Sequence, residues 1–327
     1  MQFLIDMLAA SWHLLEESSV YILGGLVIAG MLKIFLSPTF VAEHLGQGKI
    51  RSVFKAALLG VPIPLCSCGV LPAAAQLKRQ GANNGATTAF LIATPESGVD
   101  SIAVTYAMRD PVRTAARPLA AFFTAFAAGA AENLIGFRKD APPAVPDLTC
   151  AVDGCCDGVD CDPRVHRRHH TFSEKLYAGL TFALTDLWGD IAPWFFAGLL
   201  LAGLITVLVP DDFFSRHLGS GLPAMLLMLA VGIPLYICAT ASTPIAAALI
   251  LKGVSPGVAL VFLLAGPATN MASITVLAAT LGKRATALYV AAIAVCAVLM
   301  GWAVDEVYAV LGISAKAAAG QAAEIVP

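Results

Sequence analysis

The stretch Pro62-Ile-Pro-Leu-Cys66-Ser-Cys68-Gly69 decides the fold of this chain, because it places two prolines and two cysteines inside an apolar segment. Proline removes a backbone donor and opposes a continuous helix, while glycine permits dihedral angles that other residues avoid. A weaker version, Ile233-Pro234-Leu-Tyr-Ile-Cys238, follows later in the chain. The two stretches predict one interrupted helix in each half of a duplicated protein, with cysteine at both interruptions.

The composition predicts a membrane protein. Of the 327 residues, 58% are hydrophobic and 13% are charged, and the mean hydropathy is +0.79. About a quarter of an average soluble sequence is charged, so a soluble domain is excluded. The basic residues are scattered over loops, which argues against nucleic acid as a partner. Residues Met1–Glu17 contain no basic segment, and a cleaved signal peptide is therefore not expected.

Eight apolar stretches are candidate transmembrane helices. They are Val20–Leu36, Val53–Leu77, Thr87–Met108, Pro118–Phe137, Ile191–Val209, Leu222–Leu251, Gly257–Leu281 and Ala287–Leu311. The second and sixth hold internal prolines and glycines, which predicts broken or re-entrant helices. Met1–Ser18 and Phe172–Asp190 precede the two groups of four and are predicted as amphipathic helices along the interface, giving eight to ten segments.

The two groups of four spans match each other, as expected for two homologous halves. The matched pairs are Pro64 with Pro234, Cys68 with Cys238, Gly81 with Gly253, Pro95 with Pro267, and Glu132 with Asp305. Duplicated halves with interrupted helices are typical of secondary transporters, whose substrate sites lie between the repeats. Four spans per half favour parallel repeats, whereas a re-entrant hairpin or a crossing leading helix would invert them.

The predicted organisation has four parts. They are a first transmembrane repeat (1–137), a cytosolic Cys/His-rich loop (138–171), a second transmembrane repeat (172–312) and a C-terminal tail (313–327). Glu132 and Asp305 lie near the ends of their spans, and we interpret both as solvated at the interface rather than as parts of a proton relay.

Cys66 and Cys68 are the leading ligand candidates. On a regular helix two residues so spaced point in nearly opposite directions, whereas on extended backbone they share a face. An unwound chelating loop is therefore expected. Thiolate sulfur favours Cu(I) and Zn²⁺ and equally suits a trivalent arsenical, and Cys238 is a candidate third sulfur. The alternative is that these cysteines are small hydrophobic residues packed in the core.

Polar residues in the third and seventh spans extend the candidate site. They are Thr94, Glu96, Ser97 and Asp100 in the first half, and Thr269 and Asn270 in the second. Charged groups at membrane depth are costly and usually face a partner, a cavity or a pathway. Glu96 and Asp100 would share one helical face, as cation ligands or proton acceptors, unless this stretch is an interfacial loop. The predicted backbone breaks are Pro62, Pro64, Gly69, Pro95, Pro234 and Pro267.

The loop Arg138–Thr171 concentrates half of the cysteines of the chain. Its candidate metal ligands are Cys150, Cys155, Cys156, Cys161, His166, His169 and His170. Short Cys/His tracts are typical of metal binding, although this spacing is not a standard zinc pattern. Disulfides would be expected if the loop were exported, and an inert linker is a further alternative. The dense arginines around the cysteines favour a cytosolic, reduced loop that captures metal.

The first half carries a family resemblance. The stretch Gly60-Val-Pro-Ile-Pro-Leu-Cys66-Ser-Cys68-Gly69-Val-Leu-Pro72, followed by Gly81, Ala82 and Thr94-Pro-Glu-Ser-Gly98, resembles the ArsP/YraQ-type permeases. That family includes methylarsenite exporters and a branch regarded as copper and zinc efflux transporters, which the Cys-rich loop resembles more. The resemblance covers about residues 18–312 and implies export across the bacterial inner (plasma) membrane. Tyr236 and Ala268 stand where symmetry would repeat Cys66 and Glu96, so the ligands are not symmetric.

The expected function is therefore a gradient-driven secondary transporter that exports a thiophilic metal or metalloid, and not an enzyme. No phosphate-binding loop of the ATPase type occurs in the sequence. No permanent cofactor is expected beyond a transported or loop-bound Zn, Cu or As(III) species. The expected surroundings are the lipid bilayer and the cargo, with a metallochaperone and a second copy of the chain as candidate partners. The alternatives are an intramembrane thiol oxidoreductase and a metal sensor without flux.

Overall fold

The fold is known from a computed structural model, which describes residues 2–35, 38–46, 50–63, 65–97, 111–135, 172–208, 221–236, 239–251 and 253–311. Every regular element in these ranges is a helix, which confirms the predicted all-α architecture. In the first half the helices are α1 (Gln2–Phe35), α2 (Pro38–Val41, continued by a π-helical turn Ala42–Gly46), α3 (Arg51–Gly60), α4 (Ser67–Arg79), α5 (Asn84–Glu96) and α6 (Pro111–Ile135). In the second half they are α7 (Phe172–Phe182, continued by a π-helical turn Ala183–Leu187), α8 (Trp188–Leu208), α9 (Leu222–Gly232), α10 (Ala239–Leu251), α11 (Pro256–Ala268), α12 (Met271–Thr280) and α13 (Lys283–Leu311).

Several of these helices are suited to cross a membrane. In the described ranges, three are individually long and apolar enough: Thr114–Ile135, Ser173–Ile205 and Lys283–Leu311. Two bent pairs would raise the number to five: Ile5–Glu16 with Ser18–Ile34, bent by 44°, and Pro256–Ala268 with Met271–Thr280, bent by 50°. Large apolar side chains such as Val20, Trp302 and Val310 are exposed, as expected for a surface in contact with lipid. The protein is a multi-pass membrane protein.

The two interruptions predicted from proline are present. The second predicted span is two helices, with Pro62 in the turn after α3, and the sixth is broken in the same way at Pro234, after α9. The seventh span is broken at Thr269–Asn270, two residues after the break predicted at Pro267. Pro267 causes no break at its own position because it lies inside the last turn of α11.

Both segments predicted as interfacial helices are joined to the helices that follow them. Met1–Ser18 belongs to α1, and Phe172–Asp190 continues into α8 without interruption. Phe172–Asp190 packs against the later part of α1, since a side chain on Gly30 would collide with the backbone of Gly179. Large apolar side chains of both segments, such as Trp12 and Tyr177, remain exposed.

One end of the molecule is basic. The residues there are Lys33, Lys78, Arg79, Lys283 and Arg284, and we call this end the basic face. Lys33 and Arg79 both lie over the ring of Phe182, and Arg79 pairs with Asp190. The opposite end of α13 carries Asp305 and Glu306. This asymmetry in basic residues favours a cytosolic basic face.

The two central helices run in opposite directions. α5 starts at the basic face, where Lys78 Nζ donates a hydrogen bond to Asn84. α11 starts at the other end, where its first turn packs on Asp305 near the end of α13. From Gly85 and Gly257 onward, both helices are buried to their last residue. Their carboxyl ends meet in the middle, where Pro95 and Ala268 line the same crevice.

The first turns of α5 and α11 are anchored by the same type of contact. The Gly85 amide donates to Asn133 Oδ1 at 3.0 Å, and the Gly257 amide donates to Asp305 Oδ1 at 2.7 Å. Each acceptor lies 48 residues after its donor. Amides in the first turn of a helix have no acceptor within the helix. Here the Asn133 carboxamide oxygen and the Asp305 carboxylate oxygen serve as their acceptors.

These contacts correct the predicted pairing of Glu132 with Asp305. Asn133, and not Glu132, makes the contact in the first half that Asp305 makes in the second. Asp305 is not simply solvated, since it also accepts a hydrogen bond from Ser255 Oγ at 2.9 Å. Glu132 is buried, with 4% exposure, and acts electrostatically on Lys78. Solvation at the interface therefore does not by itself explain the position of either carboxylate.

Candidate functional site

The cysteine motif forms the start of α4. Cys66 is the N-cap residue, with extended backbone (φ −74°, ψ 173°), and the helix begins at Ser67. Cys68 therefore lies in the first helical turn, and the expected loop, unwound through both cysteines, is wrong in this respect. Gly69 allows this turn to lie against α1, because a side chain there would collide with the Tyr21 carbonyl. The chain changes from extended to helical between the cysteines, and the two thiols are close enough to influence each other electrostatically.

The broken segments of both halves meet at these thiols. The Cys68 thiol contacts the Tyr236 hydroxyl, and Tyr236 follows the break after α9. The Asn270 side-chain amide donates to Ser67 Oγ at 3.3 Å, and Asn270 lies in the break between α11 and α12. Cys68 is buried with 6% exposure, whereas Cys66 is half-buried. One turn of the first half is therefore in contact with two breaks of the second half.

Two helix N-termini converge on this point. α4 starts at Ser67 without a side-chain cap, and α12 starts after Asn270, whose side chain accepts from the Ser273 amide at 2.7 Å. Helix N-termini carry partial positive charge and favour negative groups nearby. Broken membrane helices use such ends to bind anionic groups of a substrate. Electrostatically, the position favours a negatively charged sulfur or its complex.

The three predicted hydroxyl residues are buried but hydrogen-bond within their own helices. Thr94 Oγ1 donates to the Phe90 carbonyl at 2.8 Å, and Thr269 Oγ1 donates to the Ala265 carbonyl at 2.6 Å. Ser97 Oγ donates to the Ala93 carbonyl in the same manner. Each hydroxyl satisfies a carbonyl near a helix end, so only its acceptor lone pairs remain for another group.

Glu96 ends α5 as a buried carboxyl group with 1% exposure. Among the described residues, neither of its oxygens meets a hydrogen-bond donor. The charged side chain that acts on it is Arg117 of α6, which is also buried. Arg117 Nη1 donates to Thr243 Oγ1 of α10 at 3.0 Å, so this cation links the first half to the second. α5 ends at Glu96, and Asp100, with which Glu96 was expected to share a helical face, lies outside the described residues.

Sequence reasoning missed Arg117, Thr243 and Tyr289, and it noted Tyr236 only as a departure from symmetry. Arg117 had a usable signal, since an arginine inside a membrane segment is costly unless it faces a partner. Tyr289 of α13 donates to the Ala268 carbonyl at 2.7 Å, at the carboxyl end of α11. Nothing in the sequence distinguished this tyrosine from a lipid-facing one.

Several predicted site residues lie outside the described residues. They are Pro64, Asp100, Cys238, Cys150, Cys155, Cys156, Cys161, His166, His169 and His170. Within the residues that are described, no three His, Cys, Asp or Glu side chains come together as a metal site. Cys66 and Cys68 are thus a two-sulfur group with a tyrosine hydroxyl beside it, and Glu96 belongs to a separate buried cluster with Arg117.

The chain is similar in sequence to three relatives from different organisms. A Streptococcus mutans protein, named as a two-component membrane permease complex subunit, is 24% identical over 82% of this chain and 84% of its own length. A UPF0718 protein of Methanocaldococcus jannaschii is 22% identical over 84% of this chain and 88% of its own length. UPF0718 protein YcgR of Bacillus subtilis is 30% identical over 25% of this chain and 28% of its own length. No solved structure matches the chain.

Interrupted helices with buried polar groups between them are typical of membrane transporters, and a comparison with protein families points the same way. The family model ArsP_1, described as predicted permease, matches residues 5–306. The match covers all thirteen described helices except the first residues of α1 and the end of α13. The chain therefore belongs to the ArsP_1 family of predicted permeases.

Proposed function

We propose that this permease is a secondary transporter that exports a thiophilic metal or metalloid, of the Cu, Zn or trivalent arsenical type, from the cytoplasm across the inner membrane. Cys66 and Cys68 bind the cargo, and an ion gradient, most simply of protons, supplies the energy. The observation that supports the proposal is the contact between the Cys68 thiol and the Tyr236 hydroxyl, since it brings a buried thiol to the point where two interrupted helices meet. Transporters commonly bind substrate at such a meeting point.

The two halves are proposed to be inverted repeats. Gly85 and Gly257 are anchored by the same contact, yet α5 and α11 run in opposite directions toward the centre. Inverted repeats allow one half to adopt the conformation of the other, which exchanges the side from which a central site is open. The parallel arrangement that four spans per half favoured does not agree with these directions.

Glu96 is the proposed proton carrier. A carboxylate at the centre of a bilayer costs about 2.5–3.5 kcal/mol on insertion scales, so a buried one without a donor calls for a functional reason. Arg117 offsets this cost when Glu96 is charged. When Arg117 binds another group instead, protonation of Glu96 removes the cost. Arg117 also donates a hydrogen bond to Thr243 of the second half. Protonation of Glu96 therefore changes the interactions of a side chain that joins the two halves.

Two further assignments concern regions beyond the site. We propose that the Cys/His-rich loop 138–171 captures metal in the cytosol; α6, the helix before it, ends at the basic face, where Asn133 accepts a hydrogen bond from the first turn of α5. The Streptococcus mutans relative is named as a complex subunit, which supports a second subunit as a partner for this chain as well.

Flux measurements in inverted membrane vesicles test the central proposal. Uptake of Cu(I), Zn²⁺ and a trivalent arsenical is measured for the native chain and for Cys66→Ser and Cys68→Ser. We expect one of these ions to accumulate, with uptake abolished in both variants at equal membrane expression. Cys296→Ser in α13 is the matched control, because it removes a free thiol that is not part of the Cys66–Cys68 turn. Binding without flux would identify a sensor instead, and oxidation of the two thiols linked to quinone reduction would identify an oxidoreductase.

A further inference from the structure

α1 and α8 carry a glycine at the same place in each half of the chain. The stretch Gly24-Gly25-Leu26 of α1 matches Ala197-Gly198-Leu199 of α8, and both Gly25 and Gly198 are buried. Each of these two glycines lies against the first turn of a helix that begins at a break in the chain. Small residues let helix backbones approach one another closely inside a membrane.

Gly25 lies against the turn that carries both cysteines, which we call the thiol turn (Cys66–Gly69). A methyl group at position 25 would overlap the backbone of Gly69, including its carbonyl oxygen. Because the obstructing atoms belong to the backbone, no change of side-chain rotamer relieves the overlap. Any residue other than glycine at this position would therefore push the thiol turn away from α1.

Gly198 lies against the first turn of α12 in the same manner. A methyl group there would come within 2.5 Å of the Ala272 Cα and 2.8 Å of the Met271 carbonyl oxygen. Thr275 Oγ1 of α12 also donates to the Trp194 carbonyl of α8, at 2.8 Å. α12 is not the repeat counterpart of α4, but it is the other helix whose start lies at the thiol turn.

These contacts form a closed ring around the candidate site. α4 lies on α1 and α12 lies on α8, while α1 and α8 touch each other, since a side chain on Gly203 would collide with Met7 and Ser11. The ring closes where Asn270, directly before α12, donates to Ser67 Oγ of the thiol turn. Side chains of a binding site must be held to within about 0.5 Å of their working positions, and a closed ring of backbone contacts can do so.

We propose that Gly25 and Gly198 are positioning residues of the cargo site, which hold the starts of α4 and α12 at the distance at which the two thiols meet the second half. The inference rests on the proposed role of Cys66 and Cys68 as ligands. It adds two residues outside the ligand set that decide where the ligands stand. A methyl group at either position widens the site although every ligand is still present.

Disulfide formation across the ring tests these positions without cargo. The full chain carries Ser67→Cys and Asn270→Cys, and all of its native cysteines are changed to serine. Mild oxidation in detergent is followed over time, because a disulfide needs Cβ atoms about 3.5–4.5 Å apart. We expect Gly25→Ala and Gly198→Ala each to slow the reaction about tenfold or more. Unchanged rates in both variants would overturn the proposal, as would a lack of any disulfide in the chain that keeps both glycines.

Gly24→Ala and Gly189→Ala are the matched controls. Nothing lies within 4 Å of a methyl group at either position, and alanine already stands at the place of Gly24 in the second half. Both controls should form the disulfide as fast as the chain that keeps its glycines. Equal slowing in controls and test variants would trace the effect to alanine itself and overturn the proposal.

Cargo affinity is the second measurement. In a chain whose only cysteines are Cys66 and Cys68, binding of Zn²⁺, Cu(I) and a trivalent arsenical is titrated in detergent. We expect affinity to fall about tenfold or more in Gly25→Ala and Gly198→Ala. Gly257→Ala, at the far end of α11, controls for stability, because its methyl group also collides with a helix backbone. It should lower the unfolding midpoint and leave affinity unchanged; an equal loss of affinity in this control would reduce the effect to lost stability.

Thr275→Val is a milder variant of the second contact, for use if Gly198→Ala does not fold. It keeps the shape of the side chain and removes the hydroxyl that joins α12 to α8. We expect disulfide formation to slow severalfold, and an unchanged rate would remove Gly198 from the proposal.

The two proposals fail separately. If disulfide formation slows but cargo affinity does not change, the glycines position helices and not a cargo site, and this inference is wrong. If Cys66→Ser and Cys68→Ser still transport while disulfide formation responds as expected, the assignment of the thiols as cargo ligands is lost and the glycine contacts stand.

Discussion

The Cys68 thiol lies against the Tyr236 hydroxyl, and the two residues are 168 positions apart in the chain. Each of them sits beside a break in a membrane-embedded segment, one in each half. Tyrosine therefore occupies the place where symmetry would have put another soft ligand. Its hydroxyl can donate to a thiolate or accept from a thiol, which makes it a partner that adjusts to the state of the sulfur.

Tyr236→Phe tests this partner. The ring and its packing stay, while the hydrogen bond to Cys68 is lost. We expect cargo affinity to fall about tenfold or more, the range found when a partner of a metal ligand is removed. Binding titration of Cu(I), Zn²⁺ and a trivalent arsenical in detergent is the measurement. Tyr177→Phe, on an exposed position of α7, is the control and should bind as the native chain does. Unchanged affinity in Tyr236→Phe would remove the hydroxyl from the site.

Glu96→Gln tests the proton carrier. The amide has the same shape but cannot exchange a proton, so we expect cargo to bind normally while uptake no longer responds to an imposed pH gradient. Stability should fall, because Arg117 is then buried without its compensating charge. The measurement is uptake into vesicles with and without the gradient, with Glu306→Gln at the exposed end of α13 as control. A gradient response that persists in Glu96→Gln would assign proton coupling to another group.

Arg117→Met tests the buried charge pair from the other side. Removing the cation leaves Glu96 without its compensating charge, and the expected loss of stability is about 3–5 kcal/mol, as for other broken buried pairs. The double variant Glu96→Gln with Arg117→Met should recover part of this loss. Thermal unfolding in detergent measures both. If the single and double variants unfold at the same temperature, the two side chains do not interact.

Gly257→Ala tests the close approach of α11 and α13. A methyl group at this position would collide with the carbonyl of Gly301, and the backbones would have to separate. Overpacking of this kind costs about 1–3 kcal/mol. We expect a lower midpoint of thermal unfolding in detergent. Gly266→Ala in the same helix is the matched control, since nothing lies within 4 Å of the added methyl group. Equal melting of both variants would show that the helices do not touch at Gly257.

Asn133→Ala and Asp305→Ala test the two equivalent anchors. Each variant deprives the first turn of a central helix of its acceptor, and the expected loss is about 1 kcal/mol, as for an N-cap residue. The two losses should be similar, because the contacts are alike. Glu306→Ala, one residue along, is the control and should melt as the native chain does. A loss in only one variant would argue against repeated architecture.

Much of the site was readable from the sequence, although its connections were not. The breaks at Pro62 and Pro234 and the burial of Glu96 follow from properties of a few neighbouring residues. Where prediction went wrong, an interaction over a long distance in sequence decided the outcome. Asn133 replaced Glu132 as the counterpart of Asp305 because a one-residue shift on a helix turns a side chain by about 100°.

The sequence by itself determined that this chain lies in a membrane, that its helices are interrupted by proline, and that sulfur stands at an interruption. These are local properties, set by the backbone chemistry of each residue and by the transfer of apolar side chains out of water. Only the tertiary structure decided that α5 and α11 meet end to end from opposite directions, that Tyr236 contacts Cys68, and that Arg117 faces Glu96. Such contacts depend on how helices pack against one another, and packing is a property of the whole chain.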